Sequence, residues 1–118
     1  MATVLVTGAS GMLGQHLVPM LVNRGYQVLS PSRDDVDLTD AAATSAYIQS
    51  NTIDAVVHCA AYVAGIASSK ASKHHSFDVN VSMGMNLIRS CLDNGISTLL
   101  NVGSATVYPS DAPQPLSE

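Results

Sequence analysis

The residues best suited to chemistry stand near the start of the chain. Glycines recur at three-residue spacing in Gly8-Ala9-Ser10-Gly11-Met12-Leu13-Gly14. They follow the apolar, β-branched run Thr3-Val4-Leu5-Val6, which reads as a buried parallel strand. They precede Leu13, Leu17 and Leu21 with Val18 and Val22, which recur at helical spacing. A glycine turn between strand and helix bends sharply, and its backbone reaches a ligand with no Cβ in between. Gly8 suits the turn dihedrals, Gly11 a close approach to a diphosphate, and Gly14 tight packing of the helix on the strand. The first N–H groups of the helix and its dipole favour negative charge there. Such a turn holds the diphosphate of a dinucleotide; the alternative is a glycine-rich turn with no ligand.

The other polar groups sort by position. A second strand ends in Ser30-Pro31-Ser32-Arg33, with no carboxylate at its end. An acidic residue at this point selects NAD through the ribose hydroxyls, whereas hydroxyls and an Arg select NADP through its 2′-phosphate. The sequence therefore favours NADP over NAD, with Arg33 as the phosphate partner; the alternative for Arg33 is a solvated loop residue. His58 ends an apolar strand and reads as a strand residue with a satisfied ring nitrogen rather than a catalyst. His74-His75 have no carboxylate or thiol at ligand spacing, so they read as a surface helix start and no metal site is expected. Cys59 and Cys91 are far apart in apolar settings and read as reduced core residues.

Composition bounds the function. The 118 residues are 47% hydrophobic and 12% charged, enough for a core in one domain or a piece of one. Net charge is −4 with only five Lys and Arg, which argues against nucleic-acid binding. Four Tyr, one Phe and no Trp offer no stacking platform for single strands. No apolar stretch approaches the roughly 20 residues that span a bilayer, so no membrane partner is expected. The N-terminus enters the first strand without a signal-like segment, and a cytoplasmic location is expected.

The elements that position these residues alternate. A first helix is predicted over Met12 to Arg24, with Ser10 or Gly11 near its cap and a bend or break at Pro19. A second strand covers Tyr26 to Ser30. A polar loop follows, then an alanine-rich helix over Ala41 to Gln49 capped by Thr39 or Asp40. The third strand is Ala55-Val56-Val57-His58, followed by a small-residue loop from Cys59 to Ser72. A long helix over Ser76 to Leu92 has Met83, Met85, Leu87, Ile88 and Leu92 as its packing side, for core or subunit contact. The fourth strand is Thr98 to Val102, and Pro109, Pro113 and Pro115 make the tail a loop. This order implies an α/β fold with a three-layer parallel sheet, expected in the order 3-2-1-4, with a ligand crevice at the C-terminal ends of strands 1 and 4.

Several segments together resemble one family. Thr7-Gly8-x-x-Gly11-x-x-Gly14, Asp37-Leu38, His58-Cys59-Ala60-Ala61, Asn80, and Gly103-Ser104-Ala105-Thr106-Val107-Tyr108 occur in the order found in extended short-chain dehydrogenases/reductases. These are the nucleotide-sugar epimerases, dehydratases and reductases. Gly11-Met12-Leu13-Gly14, the loop Ala60 to Ile66, and Gly103 to Pro109 are most similar to the GDP-fucose synthases. The resemblance implies a Rossmann-type domain, of which residues 1–118 are the N-terminal part, truncated after the fourth strand and with no second domain. It implies a nucleotide-sugar substrate and a homodimer in the full-length parent.

The resemblance also implies roles. Residues 8–14 hold the diphosphate. Asp37 accepts from the adenine amine and Leu38 covers the ring, unless Asp37 is an ordinary turn residue. Ala60 and Ala61 let the backbone pass beside the ribose and diphosphate, and simple close packing is their other role. Val102 and Gly103 border the cofactor beside Ser104. Ser104 hydrogen-bonds the sugar oxygen as hydride moves to or from the nicotinamide; the alternative is a serine capping a local turn. Thr106 stands where GDP-fucose synthases carry a cysteine used in epimerisation, and its hydroxyl is too weak an acid to replace one. The segment Ser104 to Tyr108 is instead similar to UDP-galactose 4-epimerase-like enzymes.

The family's proton chemistry needs a Tyr-x-x-x-Lys pair, in which Lys lowers the Tyr pKa. None of Tyr26, Tyr47, Tyr62 and Tyr108 has a Lys at the fourth place. No turnover is therefore expected of these residues alone. Two readings follow: a portion of a nucleotide-sugar oxidoreductase or epimerase, or a non-catalytic NADP-binding sensor.

Overall fold

In the computed structural model, residues 1–64 and 73–117 are described. The remainder of the expected loop after Ala64, through Ser72, lies outside the described residues. β1 (Thr3–Thr7) is buried along its whole length, which only a central strand covered on both faces achieves. α1 (Gly14–Asn23) leads to β2 (Gln27–Leu29), and α2 (Ala41–Gln49) to β3 (Ala55–His58). α3 (Lys73–Asp93) leads to β4 (Leu99–Asn101), and a short 3₁₀ turn covers Ala105–Val107.

All strand pairs are parallel, as the alternation of strands and helices requires. The sheet order is β2-β1-β3-β4, which corrects the expected 3-2-1-4. The reason lies in β2 and β3, since either order leaves β1 between two neighbours. The expected order would put β2 inside and β3 at an edge, whereas β2 is a three-residue strand with no buried residue and β3 buries Val56 and His58. The partly exposed β2 and β4 therefore take the outer positions. The link through α2 carries the chain back across β1, so β3 pairs with it from Val4↔Ala55 to Thr7↔His58. Asp54 fixes that register: its carboxylate accepts from the Thr3 N–H at 2.7 Å, and its own N–H donates to the Thr3 carbonyl at 2.9 Å.

Right-handed crossovers then set the layers. Moving one way from β1 to β2 puts α1 on one face of the sheet. Moving the other way from β2 to β3 to β4 puts α2 and α3 together on the opposite face, where they pack on each other. The main core lies beneath them: Leu5, Ile48, Ile53, Val56, Leu87 and Cys91 form one buried cluster. Period two along β1 sends Leu5 into this cluster and Val4 and Val6 to the α1 face.

Several boundaries differ from those expected. α1 starts at Gly14 with Leu13, which has no polar side-chain atom, as its N-cap, because the chain turns first: the Gly11 N–H donates to the Gly8 carbonyl and the Gln15 N–H to the Gly11 carbonyl. α1 runs through Pro19 without a break. Asp40, not Thr39, caps α2 by accepting from the Ala43 N–H. α3 begins a turn before Ser76. Its apolar residues divide between two faces: Met83 and Leu87 are buried, whereas Met85, Ile88 and Leu92 are exposed with Phe77 and Val81. Cys91 is a core residue, but Cys59 is only half-buried and faces a cavity.

Candidate functional site

The reversal of sheet order falls between β1 and β3, so the crevice opens at the C-terminal ends of those two strands rather than of strands 1 and 4. A cavity of about 420 Å³ occupies it. The turn after β1 forms one wall. Gly8 has φ +68°, and a Cβ there would stand 2.6 Å from the backbone N of Ala60. A Cβ on Gly14 would overlap the Gly8 carbonyl oxygen. These two glycines are therefore required by backbone packing, one turn against the next. Gly11 meets only the Gly8 carbonyl, at 3.2 Å, and lines the cavity with Gly8, Ala9 and Ser10. Met12 and Leu13 are exposed and Gly14 is buried behind the turn; none of the three lines the cavity.

Beneath the turn, Thr7 ties β1 to β3. Its hydroxyl oxygen accepts from the Ala60 N–H at 3.2 Å and lies 2.7 Å from His58 Nδ1. The Ala60 N–H uses one of the two hydroxyl lone pairs, and the hydroxyl pairs with Nδ1 through its proton or its second lone pair according to the ring's tautomer. Burial lowers the His58 pKa and keeps the ring neutral. His58 is thus the satisfied strand residue its setting suggested.

The second wall is the loop between β2 and α2. Arg33, Asp37 and Leu38 all reach the cavity. Asp37 folds back on its own backbone: one carboxylate oxygen accepts from the Thr39 N–H at 2.9 Å and from the Thr39 hydroxyl at 2.6 Å. Those bonds hold its pKa below the ordinary value. Ser32 and Asp35 make a similar turn, in which the Ser32 N–H and hydroxyl each donate to Asp35 at 2.7 Å. The loop is thereby shaped by two short carboxylate turns. A shallower cleft of about 350 Å³ continues from Ser10 and Ser32 towards Gln15 and Ser30.

The third wall is the loop after β3, held by α3. Ala60 and Ala61 line the cavity, followed by Tyr62. Asn80 grips Tyr62 at two points: its Oδ1 accepts from the Tyr62 N–H at 2.7 Å and its Nδ2 donates to the Tyr62 carbonyl at 3.0 Å. The Tyr62 ring meets the His75 ring edge-on at 4.9 Å.

Ser104 and Thr106 lie elsewhere. Both are exposed and neither lines the cavity. The Ser104 Oγ accepts from the Thr106 N–H at 3.2 Å and lies 2.8 Å from the Thr106 hydroxyl. That is the local cap geometry of the 3₁₀ turn. Val102 and Gly103 are also exposed and outside the cavity, with the Val102 N–H donating to the His58 carbonyl. Among the described residues no group of three His, Cys, Asp or Glu could hold a metal ion.

Sequence reasoning missed the apolar floor made by Val79 and Met83 of α3 and Val36 of the β2–α2 loop. Val79 and Met83 are four residues apart, hence on one helix face, and that spacing was the available signal. It is shared by ordinary core packing, the role expected of Met83.

The profile of the NAD dependent epimerase/dehydratase family matches residues 4–118, almost the whole chain. The chain belongs to this family. Among curated members, the GDP-L-fucose synthase of Azorhizobium caulinodans is 34% identical over 114 residues, covering 97% of this chain and 36% of its own length. This member of the epimerase/dehydratase family thus spans about a third of such relatives. Two solved structures agree in fold. A GDP-D-glycero-L-gluco-heptose synthase of Campylobacter jejuni, crystallised in the presence of NADPH, superposes with a TM-score of 0.91 at 25% identity, over 98% of this chain and 34% of that one. A UDP-glucose 4-epimerase of Bifidobacterium longum in complex with NAD+ and UDP gives 0.85 at 26% identity, over 99% and 41%. The architecture is therefore that of Rossmann-type reductases and epimerases.

Proposed function

We propose that this chain is the cofactor-binding part of a nucleotide-sugar oxidoreductase or epimerase that uses NADP, with NAD as the alternative. The observation that carries the reading is the glycine turn: Gly8 lies flush against Ala60, and Gly11 faces the cavity without a side chain. A backbone so exposed at a helix start fits a diphosphate. Gly8 to Gly11 would hold the diphosphate, with Met12, Leu13 and Gly14 carrying the turn behind them into the helix, Ala60 and Ala61 would flank the ribose, and Leu38 would cover the adenine with Asp37 at its edge. The oxygen of Asp37 that is not bound to Thr39 remains an acceptor for the adenine amine. Arg33 would meet the 2′-phosphate. When bound, the dinucleotide supplies or accepts hydride at its nicotinamide. Val102 and Gly103 would border it, and Ser104 would donate to the sugar oxygen, the Thr106 hydroxyl orienting it.

The relatives' names support a nucleotide-sugar substrate, and the absence of a Tyr-x-x-x-Lys pair within these 118 residues supports a lack of turnover by them alone. The exposed apolar face of α3 supports a homodimer in the full-length parent. Two free thiols suit a reducing, cytoplasmic compartment. Calorimetric titration tests the reading. NADPH is expected to bind more tightly than NADH, and Arg33→Ala should weaken NADPH by about tenfold, a charge-assisted contact, while leaving NADH nearly unchanged. Equal losses for both would remove Arg33 from the phosphate. Binding of NADPH by a full-length parent that is indifferent to every nucleotide sugar would favour the sensor reading instead.

A further inference from the structure

We propose that Asn86 of α3 is a positioning residue for adenine recognition, acting through the backbone of Leu38. The inference rests on the dinucleotide reading above. Asn86 lies on the half-buried side of α3, and its Nδ2 donates to the Leu38 carbonyl at 3.0 Å across 48 residues of chain. The Thr44 hydroxyl also lies 3.4 Å from that carbonyl, but its single proton has a nearer acceptor in the Asp40 carbonyl at 2.8 Å. Asn86 is therefore the principal donor to Leu38.

The bond matters because of what it holds. Leu38 sits between Asp37 and Thr39, which are already closed into one tight turn by the Asp37 carboxylate. Asp37 and Thr39 are exposed, and Leu38 is partly buried against the main core, a non-directional contact that leaves the orientation of its backbone to a hydrogen bond from a packed element. α3 supplies that element: Met83 and Leu87 on either side of this region are buried, and Met83 lines the cavity floor. Asn86 thus adds a directional bond to the packing of Leu38 and orients the turn that carries the Asp37 carboxylate. A flat base inserted beside that turn meets the carboxylate while this orientation holds. An isosteric Asp at position 86 keeps the shape, removes the donor, and turns an acceptor towards the Leu38 carbonyl.

The test compares NADPH with its hypoxanthine analogue, which lacks the exocyclic amine. Fluorescence titration of the wild-type chain is expected to show about tenfold preference for NADPH, the value of one hydrogen bond to a charged group. In Asn86→Asp that preference should fall towards unity, because Asp37 no longer meets the amine. Loss of structure alone would weaken both nucleotides equally and leave the ratio intact, so an unchanged ratio overturns the proposal. Asn86→Ser, which is smaller and introduces no charge, gives a second variant should the first not fold, with the same expectation. A wild-type chain that binds both nucleotides equally also overturns it. A wild-type chain that binds neither overturns the dinucleotide reading itself.

Discussion

His58 is a buried base whose neighbours offer it a hydrogen bond but no charge. The Thr7 hydroxyl serves Nδ1, and burial lowers the folded-state pKa below the usual 6.5. The unfolded chain takes up a proton as pH falls through about 6.5, whereas the folded chain does so only at lower pH. Stability from this group is therefore complete above that value and declines as pH falls below it. Urea midpoints at pH 7.5, 6.5 and 5.5 should show this decline, and His58→Asn, which keeps an acceptor for Thr7, should flatten it over the same window. An equally steep decline in the variant would assign the effect to other groups. At this scale the sequence was informative where chemistry is local. The glycine spacing, the satisfied His58 and the reach of Arg33 follow from residue type and short-range order, whereas Asp37 and Leu38 were legible only through the family resemblance. Asn80 and Asn86 act across 18 and 48 residues, and no local pattern announces such bonds.

At the scale of elements, α1 holds an internal proline at no visible cost to its course. Pro19 lacks the N–H that would donate to the Gln15 carbonyl, and its ring crowds the preceding turn. The residue is exposed, so Pro19→Ala restores the bond without disturbing a packed neighbour. A gain of about 1–3 kcal/mol in unfolding free energy is expected from chemical denaturation. No gain would mean that the helix had already relaxed around the ring. Strand and helix types were legible from period two and period 3.6, but sheet order was not. Both orders enclose β1, and the choice between them depends on whether β2 or β3 is left at the edge, a property of burial that appears only when the layers assemble. For the same reason the division of α3 into two apolar faces was hidden: Met83 and Met85 look alike in a list of apolar residues, yet they point apart on the helix.

For the molecule as a whole, α3 carries an apolar face that is open to solvent. Phe77, Val81, Met85, Ile88 and Leu92 are spaced four, four, three and four residues apart, a continuous stripe along the helix, and Phe77 and Leu92 are 67% and 72% exposed. A stripe of this kind favours pairing with a like stripe. Sedimentation of the chain at rising concentration should show self-association, and Ile88→Glu at the stripe's middle should reduce it at least tenfold in affinity, since a desolvated carboxylate opposes contact. Unchanged sedimentation in the variant would move the contact elsewhere.

The way Gly8 nests on Ala60 has a consequence for how the protein is kept intact. The pocket walls at the glycine turn and the loop after β3 come together only when β3 docks beside β1, through the Thr7 hydroxyl and the Cys59 N–H to the Thr7 carbonyl. A molecule that fills the pocket therefore engages the assembled sheet and has no purchase on the open chain, so it draws the population towards the folded form by mass action. Small pocket ligands would serve as chemical chaperones here, rescuing weakened variants whose lesions lie far from the crevice, in proportion to their occupancy.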